Sequence, residues 1–139
     1  QGVSSAASDV YKRQDTTYDQ NLVNNSKNVD VLFHESMSLE LLDIINKQAK
    51  KSGNVVADIV TIDILDYHTP ILDVVKAAKE ANVKHLVFYH HLPAPRNQLM
   101  EDIMYRGVDE VIEEWTASHD GTMLILPINS DEINISSVN

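Results

Sequence analysis

Four places along the chain present groups that bind metal or move protons, and each directly follows a strand-like or turn-like segment. They are Asp15, the pair His34-Glu35, His68, and the pair His90-His91. Imidazole and carboxylate are the ligand types that borderline divalent cations such as Zn²⁺ take together. A carboxylate that bridges two such ions, about 3.5–4 Å apart, sets up water for attack on an ester-type centre. Taken singly, each residue has a plainer reading: a histidine at a sheet edge is more often structural, and Asp-Thr is more often a helix cap.

Composition limits the chemistry. There is no cysteine, so disulfides and thiolate metal sites are excluded and any metal must rest on His and carboxylate. Asp+Glu number 21 against 11 Lys+Arg, a net charge of -10, which argues against nucleic acid bound through its phosphates and against an anionic membrane surface. A bound metal would still create a local positive site. No apolar run is long enough to span a bilayer. With no charged n-region followed by an apolar stretch, the expected location is cytoplasmic.

The elements that must position these groups follow from apolar periodicity. QGVSSAASDVYKRQ, residues 1–14, is small and polar and reads as a leader outside the fold. VDVLF, residues 29–33, is a buried strand that ends at His34-Glu35. Ser38 is a fitting N-cap for a helix with Leu39, Leu42, Ile45 and Ala49 on one face, closed at Gly53. VVADIVTIDIL, residues 55–65, is rich in β-branched residues, yet Val56, Ile59, Val60 and Ile64 share a helical face, so helix is preferred. Thr69-Pro70 opens a further helix, with Thr69 as N-cap and Pro70 at the first helical position. Its stripe is Ile71, Val74, Val75 and Ala78, and Asn82 closes it.

HLVFY, residues 85–89, is the central buried strand and delivers His90 at its end, where open α/β sheets bind ligands. Residues 97–106 read as a short helix with Leu99, Met100 and Ile103 inward. Residues 110–115 and 122–126 would pair as a hairpin across Gly121. The tail from residue 128 is polar and expected to fray. His85 reads as exposed at a strand edge, Trp115 as a packing anchor, His119 as without a role, and Glu113 and Glu114 as solvated.

The order of the motifs narrows the reading. DTTYDQNLV, VDVLFHES, a helix, HTP, a helix, KHLVFYHHLP and a DG hairpin together resemble the C-terminal half of the metallo-β-lactamase superfamily, nearest the ribonuclease Z and arylsulfatase-like hydrolases. The resemblance runs from Asp15 to about Pro127. It implies an α/β fold that is half of an αββα sandwich, with a mixed sheet flanked by helices and a C-terminal β-hairpin. It also implies a metal-dependent hydrolase of ester-type bonds (sulfate, phosphodiester or carboxyl ester). Asp15 would be the aspartate shared between two metals, normally in a Gly-Asp-Thr turn, and His90 a metal ligand. His68 would be the general acid, with Glu35 behind it as a relay.

Departures from the pattern are as informative. Gln14 stands where glycine is expected. The His-x-His-x-Asp-His motif that supplies most ligands is absent, and so is a further histidine before the Asp-Thr turn. His91 sits where the family has an apolar residue. Leu92-Pro93-Ala94-Pro95 replaces the Ser/Pro-Arg-Tyr run of the transfer-RNA-processing branch, which favours a small ester as substrate.

The expected site is thus a two-Zn²⁺ centre with only Asp15 and His90 present. The chain alone is expected to show little or no activity, and to be unstable, to self-associate through a sheet face left open by the missing half, or to fold with a complementary half. The rival readings are a small non-catalytic α/β binding module and an assembly partner of a split hydrolase.

Overall fold

The computed structural model describes residues 10–13 and 17–138. The chain is an α/β fold built on a parallel sheet of four strands in sequence order: β1 (Val10–Arg13), β2 (Val31–Met37), β3 (His85–Leu92) and β4 (Trp115–Ala117). Parallel neighbours require crossovers, and helices provide them. Helix α1 (Gln20–Asn25) joins β1 to β2. Helices α2 (Leu39–Ser52), α3 (Val55–Asp63) and α4 (Ile71–Glu80) lie between β2 and β3, and α5 (Gln98–Met104) leads from β3 toward β4. Strands β5 (Thr122–Ile125) and β6 (Asn134–Ser137) form a separate antiparallel pair, the C-terminal hairpin.

One apolar cluster holds the helices to the sheet. Leu22 and Val23 of α1, Leu41 of α2, Ile71, Val74, Val75 and Ala78 of α4 and Met104 of α5 pack with Leu32, Leu86 and Phe88 of the central strands. These sheet residues are fully buried. On the opposite face Val31 and Val87 are buried as well, and Phe33 and Tyr89 are half-buried. Large exposed apolar side chains concentrate instead on α3, at Val55, Val56, Ile59, Val60 and Ile62.

Local rules explain the helix ends. Ser38 Oγ accepts from the Leu41 amide at 3.3 Å and caps α2, while Gly53 closes it in the left-handed region at φ 71°. Residues 55–63 are helical, as their apolar spacing favours, and a 3₁₀ turn (Ile64–Asp66) continues them. Asn97 caps α5 through the Met100 amide.

Several expectations are corrected. The stretch taken as a leader contributes β1, whose residues pair with Val31 through His34. VYKR has no apolar alternation because only its backbone is needed to extend a sheet edge. Pro70, not Thr69, is the N-cap of α4, and residue 71 is the first helical position. Leu99 faces solvent, and Met104 takes the inward place on α5. Residues 110–114 form no strand. Trp115–Ala117 pairs in parallel with β3, so the partner of β5 is β6, drawn from the segment expected to fray. His85 is buried, its Nε2 lying 2.9 Å from Thr116 Oγ1. Trp115 packs as an anchor, its ring centroid 5.0 Å from that of Tyr105 and 5.9 Å from that of Phe88.

Candidate functional site

Glu35, His68 and His90 meet at the C-terminal end of the two central strands, the edge at which open parallel sheets place ligands. Glu35 lies on β2, completely buried. Its Oε2 accepts from His68 Nδ1 at 2.6 Å, and His90 Nδ1 lies 3.4 Å from the same oxygen. The other oxygen, Oε1, accepts from the Thr69 amide at 3.3 Å. A carboxylate withdrawn from water needs such donors, since each unmet lone pair in a low-dielectric interior is costly.

Each partner is brought in by a different device. His68 sits in the turn before α4, and the isolated bridge between Met37 and Pro70 holds that turn against the end of β2. The Thr69 amide is directed at Glu35. His68 is buried, and its ring centroid lies 5.6 Å from that of His90.

His90 arrives through a β-bulge. The register between β2 and β3 runs Glu35 with Tyr89 and then Ser36 with His91, so His90 is the extra residue. Its φ is +47°, in the left-handed region. For a non-glycine residue that conformation costs about 1–2 kcal/mol. Bulges beside functional sites turn one side chain out of the alternation, and here the residue turned is His90.

His91, adjacent in sequence, belongs to a different environment. Its Nε2 donates to the Ser118 carbonyl at 2.7 Å, so its Nδ1 is the acceptor. Tyr105 OH lies 2.6 Å and Ser36 Oγ 2.8 Å from that nitrogen. Burial pushes the His91 pKa below its ordinary value, outweighing the Ser118 carbonyl that acts the other way. Burial likewise pushes the Tyr105 hydroxyl upward, keeping it a donor. His34, buried on β2, donates from Nδ1 to the Glu35 carbonyl at 2.9 Å. His119 Nε2 lies 3.3 Å from Glu101 Oε1 at the surface.

Three of the four residues singled out from the sequence thus come together, and the fourth, Asp15, lies outside the described residues. The ligand atoms of Glu35, His68 and His90 all fall within 4.8 Å of one another. One carboxylate and two imidazoles form a donor set of the kind that catalytic Zn²⁺ uses, so the residues fit the metal chemically. The 2.6 Å contact also makes Glu35 and His68 an orienting pair, the arrangement in which a carboxylate fixes a ring's tautomer and direction. The bulge is the functional feature that sequence reasoning missed, because it becomes visible only once β2 and β3 are in register.

A cavity of about 220 Å³ is lined by Met37, Leu39, Pro70, Leu72, Ile103 and Arg106, among others, and by none of Glu35, His68 and His90. It lies between the starts of α2 and α4 and the end of α5. Arg106 at its edge pairs with Glu40 at 2.8 and 3.0 Å.

The fold and the cluster define an α/β domain with a carboxylate–imidazole centre at the C-terminal edge of a parallel sheet. Neither a protein-family model nor a curated protein matches the chain. Among solved structures it is similar to the metallo-β-lactamase fold protein YhfI from Bacillus subtilis, with a TM-score of 0.49 and 17% identity. The similarity covers 76% of this chain and 34% of that one, so the chain spans about a third of the length of that structure. Among the described residues, no helix is long and apolar enough to cross a membrane.

Proposed function

We propose that this chain is the C-terminal portion of a metal-dependent hydrolase of the metallo-β-lactamase superfamily, acting on a small ester-type substrate. The observation that carries the reading is the convergence of Glu35, His68 and His90 on one point at the sheet edge. The order of the motifs along the chain, with Asp15-Thr16 at one end and the His90 strand at the other, supports the same reading. Of the branches within it, the Leu-Pro-Ala-Pro run after the histidines and the net charge of -10 favour arylsulfatase-like chemistry over transfer-RNA processing.

In this reading His90 and Asp15 would hold Zn²⁺, which would supply Lewis acidity toward water and substrate. The remaining work falls to the chain's own groups. Glu35 Oε2 accepts a hydrogen bond from His68 Nδ1 at 2.6 Å, which fixes the ring and leaves proton exchange to Nε2. His68 then donates to the oxygen that leaves. Glu35 stabilises the positive charge that His68 carries before it gives up the proton. Its own donors, the Thr69 amide and the two imidazoles, hold the carboxylate in place throughout.

The chain alone is expected to show little or no turnover, and to need a complementary half for activity. Co-expression with an upstream segment that carries a His-x-His-x-Asp-His motif, followed by assay with chromogenic sulfate, phosphodiester and carboxyl esters plus ZnCl₂, tests the reading. Turnover that disappears in Glu35→Gln and His68→Ala is the expected result. Robust turnover by the isolated chain would contradict it, as would none from the complex with zinc bound.

A further inference from the structure

We propose that His91 is the positioning residue that holds the bulge in β3 and thereby keeps His90 turned toward Glu35. Its value to catalysis rests on the reading above, while its structural content does not. The bulge needs a holder, because a histidine at φ +47° persists only where the surroundings over-determine it. His91 is the next residue and the first to re-enter register, opposite Ser36.

The imidazole of His91 ties three elements together. Ser36 on β2 and Tyr105 at the end of α5 both meet Nδ1, at 2.8 and 2.6 Å. Nε2 donates to the carbonyl of Ser118, the residue just after β4, at 2.7 Å. Ser118 is itself fixed to β3: its amide and its hydroxyl reach the Phe88 carbonyl at 2.9 and 2.7 Å. The chain on both sides of the bulge is therefore anchored, before it at Phe88 and after it at His91.

Tyr105 cannot easily yield, since its ring packs on Phe88 and Trp115 at centroid distances of 5.2 and 5.0 Å. Ser36 follows Glu35 on β2, so the two side chains leave the strand on opposite faces. The clasp thus acts from behind the sheet and touches none of Glu35, His68 or His90 through its hydrogen bonds.

The imidazole suits the task because its two nitrogens take opposite roles, one accepting and one donating. Phenylalanine would fill the space and offer neither. Glutamine carries an acceptor and a donor on one amide and can serve both.

Triple-resonance NMR of the isotope-labelled chain tests this. A strong intraresidue cross-peak between the amide proton and Hα marks positive φ at His90 in the native protein. In His91→Phe that cross-peak is expected to weaken and the His90 backbone shifts to move, and in His91→Gln both are expected to return toward the native values. An unchanged His90 in folded His91→Phe would overturn the inference. If that variant does not fold, Tyr105→Phe and Ser36→Ala each remove one donor and should shift His90 in the same direction; no shift in either overturns it.

Calorimetric titration with ZnCl₂ separates the two readings. Loss of about 10–100-fold in zinc affinity in His91→Phe supports the positioning role. Native protein that binds no zinc counts against the metal reading, and the NMR result then decides the role of His91 by itself. Equal zinc affinity with an unmoved His90 overturns the positioning role.

Discussion

Glu35 Oε2 accepts from His68 Nδ1 at 2.6 Å, and neither side chain has meaningful access to water. Taking the closest donor from a buried carboxylate leaves it short of a hydrogen bond and costs about 1–3 kcal/mol or more. His68→Ala is therefore expected to lower the denaturant midpoint sharply, with only the Thr69 amide and His90 left to serve the carboxylate. A change below about 1 kcal/mol, the range of an exposed pair, would show that water compensates Glu35 and that the pair is not a tight one.

Zinc should stabilise the native chain through His90. At a zinc concentration a hundredfold above the dissociation constant, the gain is about 2.7 kcal/mol. For a domain of 139 residues that corresponds to a rise of roughly 9 °C in melting temperature. Scanning calorimetry with ZnCl₂ and then with excess EDTA should show the rise and its reversal. His90→Ala should abolish it. A rise of the same size in His90→Ala would place the zinc elsewhere.

The sequence made some of this arrangement legible and hid the rest for physical reasons. Ser38 and Gly53 announced both ends of α2, because caps are local chemistry that tertiary contacts seldom override. Glu35, His68 and His90 stood out by their order along the chain. The bulge did not, since it depends on the register of β2 against β3, two strands far apart in sequence. Thr69 looked like a cap because its type favours that role, but the helix begins one residue later, with Pro70 in the N-cap place. Strands β1 and β6 escaped notice because VYKR and NISS carry no alternation, and edge or exposed strands can form through backbone pairing alone.

Acid should weaken the fold before the carboxylates titrate. His85 is buried on β3, and desolvation pushes its pKa below the ordinary 6.5, more than the facing Glu114 restores. Below about pH 6.5 the unfolded chain takes up a proton that the folded chain refuses, so stability falls as pH falls toward the depressed folded value. Above pH 6.5 this contribution is flat. The slope from one such group is at most about 1.4 kcal/mol per pH unit. His91, also depressed by burial, acts in the same direction. Unfolding free energies measured from pH 7.5 to 5.5 should decline in the native protein and decline less in His85→Gln, which keeps a partner for Thr116. Parallel curves for the two proteins would mean that His85 is as easily protonated folded as unfolded.

Helices α3 and α4 are both apolar, yet they should respond in opposite ways to substitution. Val56 and Ile59 on α3 are 72% and 61% exposed, whereas Ile71 on α4 lies in the core with Leu32 and Leu86. Val56→Lys and Ile59→Lys remove no buried contact and put a good helix former in place of a β-branched residue, so stability should change by less than about 0.5 kcal/mol. Ile71→Ala deletes buried methyl groups, leaves a cavity under the sheet and should cost about 2–5 kcal/mol. Urea unfolding of the three variants checks the contrast. A loss above about 2 kcal/mol at Val56 or Ile59 would show that α3 is covered in solution, whereas near-neutral values there beside a large loss at Ile71 place the stabilising burial under the sheet.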